Sequence, residues 1–227
     1  AITSGQRHWD YDLLRALPAV IGAATEADAN AATTQWIQRL PAVTSCANCV
    51  ADPPRSDLHL APDIEWIHSR KFLGADLKAA LESAYANRTG HQFYVAINEG
   101  AGNATFTNEL TYQSRTFPDA GFQLLALFRF WNIIEYWFPY KDVIGTSWDA
   151  VLASHIRPIA LAADPEQYQL VLLQLIAAIN DAHANARFPA SPPRGQCSLP
   201  VALRMVEGRP VVVADLSAEK SALDSGD

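Results

Sequence analysis

The sequence predicts a mainly helical α+β chain: duplicated helical units, a small β-hairpin inserted between them, and a pair of strands at the C-terminal end. Three observations carry this. Leu124 to Tyr140 (LLALFRFWNIIEYWFPY) confines its polar side chains to Arg129, Asn132 and Glu135, one narrow stripe on an otherwise apolar helix, and such a helix belongs inside a domain. A Trp-Asp pair opens a helical pattern twice, at Trp9-Asp10 and Trp148-Asp149. After Phe188 the texture changes to alternation, VALRMVEGRPVVVADL, with a turn expected at Glu207-Gly208.

From the N-terminal end, Trp9, Leu13, Leu14, Leu17, Val20 and Ile21 fall at helical spacing, and a second helical pattern runs from about Glu26 to Leu40. Residues 43–62 are rich in Pro, Asp and Ser and read as a loop. Ile64 to Phe72 makes one or two helical turns, and Ala75 to Asn87 is a helix with Leu77, Ala80, Leu81 and Ala84 on one face. His91 to Asn98 alternates at Phe93, Val95 and Ile97, and Gly100 and Gly102 mark a turn towards a partner strand within Ala104 to Leu110. In the second helical unit Asp164 is the expected N-cap, with Pro165 at the first helical position and Gln167 placed for a capping box. That helix is expected to close on Asn180-Asp181-Ala182-His183.

The two Trp-Asp segments read as a duplication. Pro18 corresponds to Pro158 after one inserted residue, and each proline lies 18 residues before a matching position, Trp36 or Ile176. Residues 9–40 and 148–180 are therefore expected to be equivalent helix pairs. The second copy has the apolar helix in front of its Trp-Asp; the first has only AITSGQRH, so its counterpart of that helix is expected upstream of the given chain. The organisation expected is a first repeat at 1–42, a loop, helix and hairpin insertion at 43–117, a second repeat at 118–190, and a linker with strands at 191–227.

The chain has 227 residues, 49% hydrophobic and 18% charged, enough for a sizeable core. Its net charge of −7 argues against nucleic acid or an anionic membrane surface as partner. The apolar run contains Arg129 and Glu135 and stops at Pro139, short of the roughly 20 residues a membrane span needs. Cysteines stand at 46, 49 and 197. Cys46-x-x-Cys49 fits a local disulfide in an exported protein, a reduced pair, or half a zinc site. Zinc needs two more ligands that no second pair supplies, so the disulfide is the preferred reading and no metal or cofactor is expected.

No Gly-x-Ser-x-Gly, glycine-rich phosphate loop or His-Glu-x-x-His is present, and the six histidines are scattered. The run FRFWNIIEYWFPYKDVIG, then Trp-Asp, then a long helix closing on Asp-x-His, resembles the helical region preceding the PDZ domain in the S41 family of serine peptidases, which includes C-terminal-processing and tricorn-like enzymes. The likeness covers about residues 118–190, and Leu223 to Asp227 (LDSGD) resembles an early segment of the family's PDZ domain. The resemblance implies an exported (periplasmic or extracellular) protein with PDZ and catalytic domains downstream and a polypeptide substrate. It implies that the nucleophilic serine lies beyond residue 227, so this chain alone is expected to be inactive.

By the same resemblance, His183 occupies the place of the histidine that acts as general base in tricorn-like members, with Ala182 where they carry serine. A histidine suits that task because its pKa lies near working pH. The plainer reading is a histidine that favours a helix C-terminus and bonds a last carbonyl. Asp181 is expected to cap the helix or orient His183. Trp9, Asp10, Trp148 and Asp149 read as packing and dipole complementation, with no functional role. A different class of function also fits: a non-catalytic helical module that binds an extended peptide or a partner subunit in a groove.

Overall fold

The computed structural model describes residues 5, 8–39, 49, 54–58, 61, 63–88, 93–186, 188, 199–217 and 225–226. Helices dominate: α1 (Trp9–Ile21), α2 (Glu26–Gln38), α3 (Trp66–Ser69), α4 (Ala75–Ala86), α5 (Ala120–Trp137), α6 (Trp148–Ala160) and α7 (Pro165–Ala177). Two antiparallel hairpins complete the fold, β1 (Val95–Ile97) with β2 (Ala104–Phe106) and β3 (Val201–Val206) with β4 (Arg209–Asp215). The architecture is mainly α with α+β character. The chain divides into one unit at residues 1–189 and another at 190–227.

Four of the long helices, α2, α5, α6 and α7, start where a side chain accepts a free N–H, whereas α1 and α4 start on His8 and Gly74 with no side-chain cap. Thr25 Oγ1 accepts the Asp28 N–H at 3.1 Å, Asp119 accepts that of Phe122 at 3.1 Å, and Asp164 accepts that of Gln167 at 2.8 Å. Pro165 sits in the first turn of α7. The expected capping box closes one residue early: the Gln167 side chain accepts from the N–H of Ala163, not from Asp164 itself.

The core is built on the second helix pair. Leu124, Leu127 and Ile134 of α5 pack with Ile144, with Trp148, Val151 and Ile159 of α6, with Tyr168 and Leu175 of α7, and with Ile179. Trp131 and Trp148 lock α5 to α6 reciprocally: each indole N–H donates to the other residue's carbonyl, at 2.9 and 3.0 Å. The first pair is different, because α1 buries only Asp10 and Asp12, and α2 buries nothing.

The two pairs nevertheless match in register. All four helices are 13 residues long, both first helices begin on the tryptophan of Trp-Asp, and each second helix begins 17 residues later (26 − 9 and 165 − 148). No inserted residue is needed, so the prolines fall one position apart within their helices. Each pair also carries a shallow groove between its helices, lined at matching positions by Ala19 and Pro158, Ala32 and Val171, Gln35 and Gln174.

In the second unit, Val201 pairs with Asp215 and Val206 with Arg209, and a bulge follows Ala202. Glu207 and Gly208 both take positive φ, 49° and 77°, as a tight two-residue hairpin turn demands. Of the LDSGD segment, only Ser225 and Gly226 are among the described residues; the Gly226 N–H donates to Val212 at 2.9 Å.

Candidate functional site

An open groove of about 1070 Å³ lies between α1, α5 and the β1–β2 hairpin of the first unit. Trp9 and Leu13 come from α1 and Trp36 from α2. Leu125, Phe128, Ile133, Tyr136 and Trp137 form the α5 wall, and Tyr94, Val95 and Phe106 the hairpin wall. Phe106 stacks edge-on against Trp137 with centroids 6.1 Å apart, which docks the hairpin on the end of α5. The apolar helix α5 thus serves two faces, one in the core and one in the groove. Trp36 brings a buried indole N–H that has no partner among the described residues.

One end of the groove is charged. The Arg129 guanidinium donates to both carboxylate oxygens of Asp10, at 2.8 and 2.7 Å, lies 2.6 Å from Glu109, and donates to the Leu110 carbonyl at 2.8 Å. The Tyr112 hydroxyl donates to Asp10 at 2.6 Å. Burial, then the bond to Asp10 and its negative charge, push the Tyr112 phenol well above its ordinary range. Burial, followed by the charges of Asp10 and Glu109, likewise raises Tyr94. Both phenols stay neutral at working pH; Tyr94 lines the groove, and Tyr112 holds Asp10. Asp10 is committed to structure: it ties α1 to α5 through Arg129, more than the dipole role read from sequence. Asp149, its counterpart, pairs with Arg70 on the surface.

His183 lies elsewhere. Helix α7 ends at Ala177, and Asn180 turns the chain with a φ of 56° while its amide donates to the Ile144 carbonyl at 2.8 Å. Asparagine tolerates this left-handed conformation, so Asp181 and His183 stand in a turn beyond the helix, not at its last carbonyls. Asp181 accepts the His183 backbone N–H at 2.8 Å and lies 3.1 Å from its Nδ1. That contact places the proton on Nδ1 and leaves Nε2 as the basic nitrogen. The side chain is 96% exposed, and no hydroxyl among the described residues bonds to it.

Cys49 is in a disulfide; the other two cysteines, Cys46 and Cys197, lie outside the described residues. Among the described residues no group of three or more His, Cys, Asp or Glu could hold a metal ion, and no helix is long and apolar enough to cross a membrane. The groove escaped sequence reasoning because its walls come from five separated segments, each with an ordinary helical or strand pattern. The one signal was the unmatched apolar helix of the second repeat. No family model, curated protein or solved structure matches this chain.

Proposed function

We propose that this chain is the non-catalytic N-terminal portion of an exported S41-type serine peptidase, and that its aromatic groove gathers an apolar stretch of the polypeptide substrate. The groove carries the reading. At about 1070 Å³ it is at the top of the roughly 300–1,000 Å³ usual for ligand pockets, and it is a cleft open to solvent, not an enclosed cavity. Its walls are aromatic and aliphatic, with polar groups gathered at one end. The disulfide at Cys49 supports export, since such bonds persist in oxidising compartments. His183 fits a donated general base in one respect: a carboxylate holds Nδ1 and frees Nε2.

Binding without cleavage tests this. Three of the six tryptophans, Trp9, Trp36 and Trp137, line the groove, so titrating the chain with unstructured casein should change indole emission saturably while gels show intact casein. Hydrolysis that survives repurification, or no emission change, ends the reading. For His183, the decisive protein is the full-length one: His183→Gln should lower kcat/KM by a factor of roughly 10³ or more with little change in Tm. A near-normal rate removes His183 from catalysis.

A further inference from the structure

We infer that the aromatic groove selects its occupant by charge: it takes an apolar stretch that carries a lysine or arginine at the end meeting Glu109, and disfavours the same stretch carrying a carboxylate there. The inference rests on the reading that the groove takes polypeptide, and it names which polypeptides are taken.

The composition of the walls carries it. Among the described residues that line the groove, only Asp10, Glu109 and Arg129 are acidic or basic. All three meet at one end, where two carboxylates share one guanidinium. The groove therefore holds one more negative than positive side chain. A small pocket of about 40 Å³ adjoins this end, and Trp9, Asp10, Tyr94, Glu109 and Arg129 line both concavities.

The two acids differ in what they can still accept. Arg129 takes both Asp10 oxygens, the Tyr112 hydroxyl donates to one of them, and the Asp10 side chain is 11% exposed. Glu109 meets Arg129 through Oε2, and its side chain is 35% exposed. Glu109 is thus the carboxylate that a ligand can reach, with Oε1 left to receive a cation. An incoming anion finds the Arg129 charge already shared between two acids. Tyr94 senses the same balance: after burial, the charges of Asp10 and then of Glu109 each raise its phenol by more than Arg129 lowers it.

The aromatic walls favour the same sign. Indole and phenol faces attract ammonium and guanidinium groups, and the stems of lysine and arginine cover apolar surface while their heads reach a charge. Trp9 and Tyr94 stand at the Glu109 end. The net charge of −7 adds a long-range bias towards cationic ligands.

Three short blocked peptides test this. They share one tryptophan-free apolar run and differ in a single residue type, Lys, Gln or Glu, placed at both ends so that either chain direction presents it to Glu109. A fourth, of lysine, glycine and serine, has no apolar run. Binding to the 227-residue chain is read from indole emission at low salt. We expect affinity to fall in the order Lys, Gln, Glu, with the first bound about fivefold or more tighter than the last. That ratio should shrink as salt is raised to about 0.5 M, and Glu109→Gln should bring it close to one. The lysine-glycine-serine peptide should not bind. Equal affinities, or tighter binding of the Glu peptide, overturn charge selection and leave polypeptide binding standing. A ratio that survives in folded Glu109→Gln protein overturns it too, as does one that ignores salt in the unaltered chain, a measurement that stands if the variant fails to fold. Saturable binding of the lysine-glycine-serine peptide overturns the amphipathic requirement. If the folded chain binds none of the peptides, the inference falls together with the reading it rests on.

Discussion

Arg129 ties three separate segments together, meeting Asp10 of α1 and both Glu109 and Leu110 from its place in α5. Its side chain is 28% exposed and that of Asp10 only 11%, so neither is an ordinary surface charge. Removing the guanidinium leaves a nearly buried carboxylate beside Glu109 with no cation between them. Breaking such a pair costs about 3 kcal/mol, most of it the penalty of the stranded charge. Arg129→Met should therefore lower unfolding free energy by about that amount in urea. Arg70→Met, which frees the half-exposed Asp149, should cost about 1 kcal/mol or less. Equal losses would show that burial does not govern these two pairs. At the other titratable site the causes are separable. The His183 backbone N–H, then its ring, hold the Asp181 carboxyl below its ordinary value. A depressed folded pKa stabilises above the unfolded value, and that contribution is lost as pH falls through the folded midpoint. His183→Ala deletes the ring but keeps the backbone donor, so most of the depression should survive in a carboxyl NMR titration. Complete reversion would assign the effect to the imidazole instead.

At the scale of elements, the reciprocal bonds between Trp131 and Trp148 make a prediction that burial alone does not. Trp148→Phe retains an aromatic ring in the core but removes one of the two N–H donors and leaves the Trp131 carbonyl without it. The expected loss is about 1–3 kcal/mol from the lost hydrogen bond and the missing ring volume; Trp148→Ala should reach about 3–5 kcal/mol. A Trp148→Phe protein as stable as wild type would mean that the bond merely replaces one with water. Helix starts were the most legible elements, because local chemistry sets them. Both Trp-Asp pairs begin helices, and Asp164-Pro165 caps α7. The turn at Glu207-Gly208 follows from the two positive φ angles it needs. What depends on distant partners was hidden. Asp10 gave no sign that Arg129, 119 residues away, would take both its oxygens. His183 looked like a helix end until Asn180 left the helix to reach the Ile144 carbonyl.

For the whole molecule, the consequence of two units is unequal stability. The first unit has a continuous core on three helices, with Leu127, Ile159 and Leu175 fully buried. The second, residues 190–227, contributes one two-stranded hairpin among the described residues. Its buried apolar side chains are Val201 and Val212, while Leu203, Met205, Val206 and Val213 are all about half exposed or more. A lone hairpin is marginal in water because a single ladder buries too little to offset chain entropy. Hydrogen exchange should therefore separate the units. Amides in β3 and β4 should exchange at least 10³-fold faster, relative to their unstructured rates, than those of α5 between Leu124 and Ile134. They should open in a step that leaves α5 protected. If strands that pack on this hairpin follow it in a longer protein, as a PDZ-like domain implies, protection of Val201 to Val206 should rise there and that of α5 should not. Equal protection across both hairpin and core in the 227-residue chain would show that one cooperative unit, not two, is being unfolded.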